Sequence, residues 1–273
     1  MSVIEEALRK NSQRTTGLRS GSNFLTGSRL ARSTPGNVVA ESSARLYRAA
    51  ATDPEAMERN HVLLGVSDMA VARAYKILRT RVLHRLHANN WRSIGITGTA
   101  AGEGKSLTAV NLALALAQDV NTWVFLVDLD LQRSQVASYL GMSVEHGITD
   151  YLTGQAELDQ IIYDIGVKRL AVVPNARQVE QSSEFLSSPR MAELVDSLTA
   201  EVPQRIIVFD MPPLLVSDDV LAFGSRADSH LLVVSQGYTA RRTLVNAKET
   251  LAEMNVIGVV LNRSTERNDS PYY

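Results

Sequence analysis

The sequence predicts an α/β fold, a doubly wound and mostly parallel sheet with helices on both faces. Two observations lead there. Runs such as Ile206-Ile-Val-Phe209 and Leu231-Leu-Val-Val234 are apolar at consecutive positions, as strands covered on both sides must be. These runs also alternate with segments of helical spacing, the order that builds parallel sheets. A chain of 273 residues is long enough to bury one such domain with appendages.

The elements follow in order. Ser2 as N-cap, Glu5 three positions on, and Ile4, Ala7 and Leu8 on one face predict a short helix over residues 1–10. Residues 11 to about 48 are rich in Ser, Thr, Gly and Arg and poor in large apolar side chains, so they read as a basic linker. From residue 67 to about 87, Val71, Ala74, Tyr75, Leu78, Val82 and Leu86 recur at helical spacing, with Arg73, Lys76, Arg79, Arg81 and Arg85 on the other faces. Strands are expected at 93–97, 123–127, 170–173, 205–209, 230–234 and 256–261, and helices at 106–118, 189–201, 218–223 and 239–254. The expected division is therefore 1–66 as helix and linker, 67–262 as the folded domain and 263–273 as a flexible polar tail.

Composition removes several classes of function. Cysteine is absent, which excludes a disulfide scaffold or a thiolate metal site and suits a reducing cytoplasm. A formal charge of -1 argues against a chain built for nucleic acid. No apolar run approaches the roughly 20 residues needed to cross a bilayer, so no direct membrane span is expected. The five histidines show no metal-ligand spacing.

The chemistry gathers after the first core strand. Ile94-Gly-Ile-Thr-Gly-Thr-Ala-Ala-Gly-Glu-Gly-Lys-Ser106 passes from a strand through small residues into a helix, the setting of a phosphate-binding P-loop. The loop residues Ala101, Gly102, Glu103, Gly104, Lys105, Ser106 and Leu107 are the candidate nucleotide cradle. Glycines let N–H groups close on phosphates, and the new helix adds its positive end. Lys105 would reach the β- and γ-phosphates, and the Ser106 hydroxyl would ligate Mg²⁺. The strict pattern has glycine five residues before Gly104, where this chain has Thr99.

Two further strands end in carboxylates, Val124-Phe-Leu-Val-Asp128-Leu-Asp130 and Ile206-Ile-Val-Phe-Asp210-Met-Pro-Pro213. Ligands of open α/β sheets bind beyond the carboxyl ends of the strands, so both should face the P-loop. Asp210 then reads as the acid that holds Mg²⁺, and Asp128 as a second acid near the γ-phosphate. Capping of the next loop or helix explains any one such Asp about as well.

Together, Thr97-Gly-Thr-Ala-Ala-Gly-Glu-Gly-Lys-Ser106, Leu126-Val-Asp-Leu-Asp130 and Phe209-Asp-Met-Pro-Pro213 resemble the bacterial tyrosine autokinases of exopolysaccharide and capsule synthesis. The likeness spans about residues 67–262 and includes His146-Gly-Ile-Thr-Asp-Tyr-Leu-Thr-Gly154, Ser183-Glu-Phe-Leu-Ser-Ser-Pro-Arg-Met191 and Gly258-Val-Val-Leu-Asn262. The opening Met1-Ser-Val-Ile-Glu-Glu-Ala-Leu8 is similar to the separately encoded, cytoplasmic members.

The resemblance implies a P-loop NTPase fold and ATP with Mg²⁺ as cofactors. It implies Lys105, Asp128, Asp130 and Asp210 as catalytic residues, Ser106, Asp128 and Asp210 about the metal, and Asn262 near the adenine. Asp128 would accept the tyrosyl proton or orient water on Mg²⁺. The same resemblance makes Tyr272 and Tyr273 phosphoacceptors on a tail spanning at most about 30–35 Å. It further implies a cytoplasmic protein held at the inner membrane by its activator, the cytoplasmic segment of a membrane polysaccharide chain-length or export protein, and leaves a homo-oligomer open. Three positions depart from the family pattern: Gln132 for an arginine, Arg73 for a glutamate used in ring assembly, and a tyrosine cluster reduced to two. The other readings are an ATPase switch of the partitioning type, which typically carries a lysine where Ala100 stands, and a catalytically weak regulator of the export machinery.

Overall fold

The computed structural model describes residues 47–64, 69–201, 204–252 and 254–265. Among these residues eight strands form one sheet: β1 (Arg48–Ala49), β2 (Ser93–Gly98), β3 (Trp123–Asp128), β4 (Tyr163–Asp164), β5 (Leu170–Val173), β6 (Arg205–Asp210), β7 (Ser229–Ser235) and β8 (Val256–Asn262). Their order is β1-β4-β5-β3-β6-β2-β7-β8, and every pairing is parallel except β4 with β5. From β2 the chain winds outward to β3 and β5, returns to lay β6 beside β2, and then crosses to β7 and β8. That reversal puts the topological switch at the C-terminal end of β2.

Side-chain alternation along the strands builds two cores. Val124, Leu126, Ile206 and Val208 point to one face, with Leu112 and Leu116 from α3 (Lys105–Leu116) and Val82 and Leu86 from α2 (Met69–Ala88). Phe125, Val127, Ile207 and Phe209 point to the other, against Met191, Leu194 and Leu198 of α8 (Pro189–Glu201) and Val220 and Phe223 of α9 (Asp219–Gly224). The doubly wound sheet expected from the sequence is the one observed. On α2 the predicted stripe faces inward with Ala74 alone exposed, and Arg79 reaches across to donate to the Ala115 carbonyl at 3.2 Å.

The N-terminal boundary differs from expectation. Residues 47–64, expected to precede the domain as linker, are part of it: β1 extends the sheet, and α1 (Pro54–Arg59) brings Met57 into the core with Val62 behind it. Asp53 caps α1 by accepting from Glu55 N at 2.9 Å, and the Asn111 side chain binds both Leu63 N and the His61 carbonyl. A stretch with so few large apolar residues folds because it borrows the core of its neighbours. The predicted helix over 1–10 lies outside the described residues.

Besides α1, four short helices were not expected: α4 (Val136–Leu140), α5 (Ile148–Leu152), α6 (Leu158–Ile161) and α7 (Ser182–Ser187). The helix expected at 239–254 is broken into α10 (Arg241–Asn246) and α11 (Lys248–Ala252), and α10 buries none of its residues. No helix among the described residues is long and apolar enough to cross a membrane. Met57→Ala should cost about 2–4 kcal/mol, the usual penalty for truncating a core methionine. Equilibrium urea unfolding measures it, and no change would return residues 47–64 to the status of a linker.

Candidate functional site

The phosphate loop leaves β2 at Gly98 and ends in Gly104, which is the N-cap of α3 with φ +90°. Gly102 also has a positive φ, 78°, a conformation that side chains of ordinary residues disfavour. A Cβ on Gly104 would run into the Asn262 side chain, and one on Gly98 would meet the Glu103 carboxylate and the Val233 carbonyl. The loop therefore needs glycine for backbone conformation at 102 and 104 and for closeness at 98. Lys105 is buried, with Nζ 3.3 Å from the Ala100 carbonyl, and Ser106 sits beside it in the first turn.

Strand register explains how the acids meet. Asp128 and Asp210 are direct partners in the β3–β6 ladder, and both have the parity of the residues that face α3. Alternation thus turns both carboxyls toward the face from which the phosphate loop rises. Asn262, ending β8, donates to the Glu103 carbonyl at 2.9 Å and joins the group from the far side. Lys105, Ser106, Asp128, Asp130, Asp210 and Asn262 all lie on the C-terminal rim of the sheet.

The acids differ in what already holds them. Asp128 Oδ2 accepts from the N–H groups of Gln135 and Val136, each at 3.1 Å, at the start of α4, and Oδ1 accepts from Asp130 N at 3.2 Å. Part of its role is thus the capping that the sequence left open as a second reading. Asp130 accepts from Arg133 N at 3.0 Å. Asp210 is fully buried, and among the described residues neither carboxyl oxygen has a hydrogen-bond partner. The neighbouring Ser106 hydroxyl restrains the Asp210 pKa without completing a hydrogen bond to it.

Burial pushes the Asp210 pKa up to about 7, helped by the charge of Asp130 and opposed by Ser106 and Lys105. It pushes Asp128 well above the carboxylate range, with the charge of Asp210 adding to the rise, and raises Asp130 as well. A bare buried carboxyl among other acids is what a cation ligand looks like before its ion arrives. Asp210 and Ser106 fit a divalent cation shared with nucleotide phosphates, and the N-terminal end of α3 with its left-handed glycines fits the phosphates.

A model of the CobQ/CobB/MinD/ParA nucleotide-binding domain matches residues 94–272. The tyrosine-protein kinase YwqD of Bacillus subtilis (strain 168) is 30% identical over 218 residues, covering 79% of this chain and 91% of YwqD. The chain belongs to the bacterial tyrosine kinases. The tyrosine-protein kinase etk of Escherichia coli (strain K12) is 28% identical over 208 residues, which are 76% of this chain and 28% of etk. The chain thus spans little more than a quarter of that relative's length. The solved kinase domain of Escherichia coli ETK matches with a TM-score of 0.63 at 26% identity, covering 73% of this chain and 80% of that one.

Within this bacterial tyrosine kinase the departures from the family pattern have structural outcomes. Gln132 does not point at the carboxyls: its Nε2 donates to Ser182 Oγ at 2.8 Å, and that hydroxyl lies 2.7 and 2.8 Å from the two oxygens of the buried Asp219. Asp219 adds to the negative field at Asp130. Sequence reasoning missed Ser182 and Asp219, and the spacing of Asp219 after Pro212-Pro213 was the available signal. It also missed Thr239. Glu103, proposed from the sequence as a cradle residue, has its carboxyl turned back into the loop. Tyr272 and Tyr273 lie outside the described residues.

The pKa of Asp210 sets a pH dependence of stability. Its folded value lies above its unfolded value, so the folded state holds a proton that the unfolded state has lost, and stability falls as pH rises toward and through about 7. His230, buried and with its pKa lowered by burial to about 4, works in the opposite direction below about 6.5, in wild type and variant alike. The stability of nucleotide-free Asp210→Asn relative to wild type should therefore rise by about 1 kcal/mol between pH 6 and pH 8. Urea unfolding of both proteins at the two pH values measures it, and a constant difference would contradict a raised Asp210.

Proposed function

We propose that this chain is an ATP-dependent protein-tyrosine kinase that transfers the γ-phosphoryl group of Mg-ATP to tyrosines of its own tail, in control of exopolysaccharide polymerisation or export. The observation that carries this reading is the convergence of a glycine-shaped phosphate loop with a paired Asp128 and bare Asp210, in a chain whose relatives are named tyrosine-protein kinases. The folded unit is taken as residues 47–262 and the remainder as the acceptor tail.

Each residue has a task. The loop N–H groups from Ala101 to Leu107 and Lys105 hold the phosphates, Lys105 with its charge on the β- and γ-oxygens. Ser106 and Asp210 would hold Mg²⁺, which would supply positive charge to offset what builds on the transferring group. Asp128, aligned by three backbone N–H groups, accepts the tyrosyl proton, and burial raises its pKa, which makes it a stronger base than an exposed carboxylate. The tyrosyl oxygen forms its bond to the γ-phosphorus as the bond to the β–γ bridging oxygen breaks, and ADP leaves with that electron pair. Asp130 adds negative charge that keeps Lys105 close by. Asn262 is assigned to the adenine side, since it lies against the outer edge of the loop.

Tyr272 and Tyr273 are proposed as acceptors because β8 ends on the same rim as the phosphate loop, so the tail starts beside the site. The chain is proposed to work in the cytoplasm at the inner membrane, brought there by the cytoplasmic segment of a membrane export protein as activator. Incubating the purified protein with labelled ATP should give phosphotyrosine in wild type, a loss of at least about 100-fold in Lys105→Met, and loss of most label in the Tyr272→Phe, Tyr273→Phe double variant. Phosphate release without phosphotyrosine would instead favour a nucleotide switch, and full labelling of the double variant would move the acceptor elsewhere.

A further inference from the structure

Glu103 lies at a position that the phosphate-loop motif leaves open, yet it is fully buried and its carboxylate accepts four hydrogen bonds. Oε2 takes the N–H groups of Thr99 at 2.6 Å and Ala100 at 3.0 Å. Oε1 takes the hydroxyls of Thr99 at 2.7 Å and Thr239 at 2.5 Å. The Glu103 carbonyl accepts from Asn262, and Thr239 Oγ1 accepts in turn from Ser235 N at 2.8 Å. One residue thus joins the start of the loop, the turn after β7 and the end of β8.

We propose that the Glu103 side chain is a positioning group: a strut that holds the phosphate loop open and locks it to the two segments on its base side, without the carboxylate itself touching the nucleotide. The inference rests on the nucleotide-binding reading above and adds to it. A carboxylate directly behind an anion-binding loop repels the triphosphate, so its presence calls for a compensating benefit. Holding the loop in its binding shape supplies one, because a loop already ordered loses less freedom when the nucleotide binds. The strut also accounts for Thr99, where the strict motif has glycine: a glycine there would keep the N–H and lose the hydroxyl donor. The N–H groups of Thr99 and Ala100, taken up by Glu103, leave the phosphates to the groups from Ala101 onward.

The test uses the full chain and a fluorescent ADP analogue with Mg²⁺, with thermal unfolding and phosphotyrosine kinetics measured in parallel. Glu103→Ala should weaken nucleotide binding about tenfold or more, through several lost hydrogen bonds. Glu103→Gln should recover binding to within about threefold of wild type, since its carbonyl can take the two N–H groups and its amide can donate to the two hydroxyls. Thr239→Val and Thr99→Val should each weaken binding about threefold, raising KM with kcat nearly kept, and they carry the test if Glu103→Ala does not fold. Binding by Glu103→Ala within twofold of wild type, or a Glu103→Gln as weak as Glu103→Ala, would overturn the strut. Absence of nucleotide binding by wild type itself would overturn the underlying reading instead.

Discussion

The constraint on which the site depends is the placing of carboxyls at the water-poor ends of apolar strands. β3 and β6 are buried along their length and each ends in an aspartate at the same level of the sheet. Burial raises the pKa of both and of Asp130 close behind, and neighbouring carboxyl charges add to it, Asp210 on Asp128, Asp130 on Asp210 and Asp219 on Asp130. Lys105 relieves Asp130 and Asp210 in part. Asp128 is relieved by the backbone of the following loop. Asp210 has no hydrogen bond among the described residues, and it is the group best placed to take a ligand.

The rest of the fold serves to put that unsatisfied group in reach of a phosphate cradle. Parallel pairing sends the C-terminal ends of β2, β3, β6, β7 and β8 to one rim, and the reversal at β2 opens a crevice there. Alternation then decides which face each end residue takes, so the loop, both acids and α3 share one side. Close approach does the final fitting. Gly98 lets the Val233 carbonyl and the Glu103 carboxyl come near, and Gly104 leaves room for Asn262. Elsewhere in the sheet Gly95 plays a similar part, since a Cβ there would press on Met211 and on the ring of His230.

Legibility in the sequence followed the length and apolarity of each element. The six expected strands showed as apolar or alternating runs, and their ends fell within a residue of expectation. α3 and α8, of 12 and 13 residues, were legible because more than three turns of spacing carry a signal that one turn does not. α4 to α7 have four to six residues each and gave no period to detect. β1 and α1 were hidden because their few apolar residues, Met57 and Val62 among them, sit in a polar stretch and are buried by partners distant in sequence. The break at Ala247 was hidden for the opposite reason: the spacing was acceptable, but α10 packs none of its residues inward. In the site, Lys105, Ser106 and the strand-end acids were legible because their chemistry restricts residue type. Thr239, Ser182 and Asp219 were not, because their work is done by contacts between segments 37 to 136 positions apart, and Glu103 was legible as a loop residue but not as the partner of Thr239.

At the phosphate loop the sequence departure and the structural surprise are one fact. Thr99 breaks the strict glycine pattern and counts against a P-loop when the motif is read as a string. In three dimensions its N–H and hydroxyl both bind Glu103, so the substituted position is part of what shapes the loop. A motif position tolerates change when its task passes to another group, and here the task of fixing the loop passes from backbone freedom to a side-chain hydrogen bond. The same logic separates the three aspartates. Asp128 and Asp130 have partners that would keep them in place in an empty protein, whereas Asp210 has none, so the fold bears its cost without structural return. A group kept at a cost to stability, at the point where the sheet opens, marks what the protein binds more directly than any of the residues that hold it together.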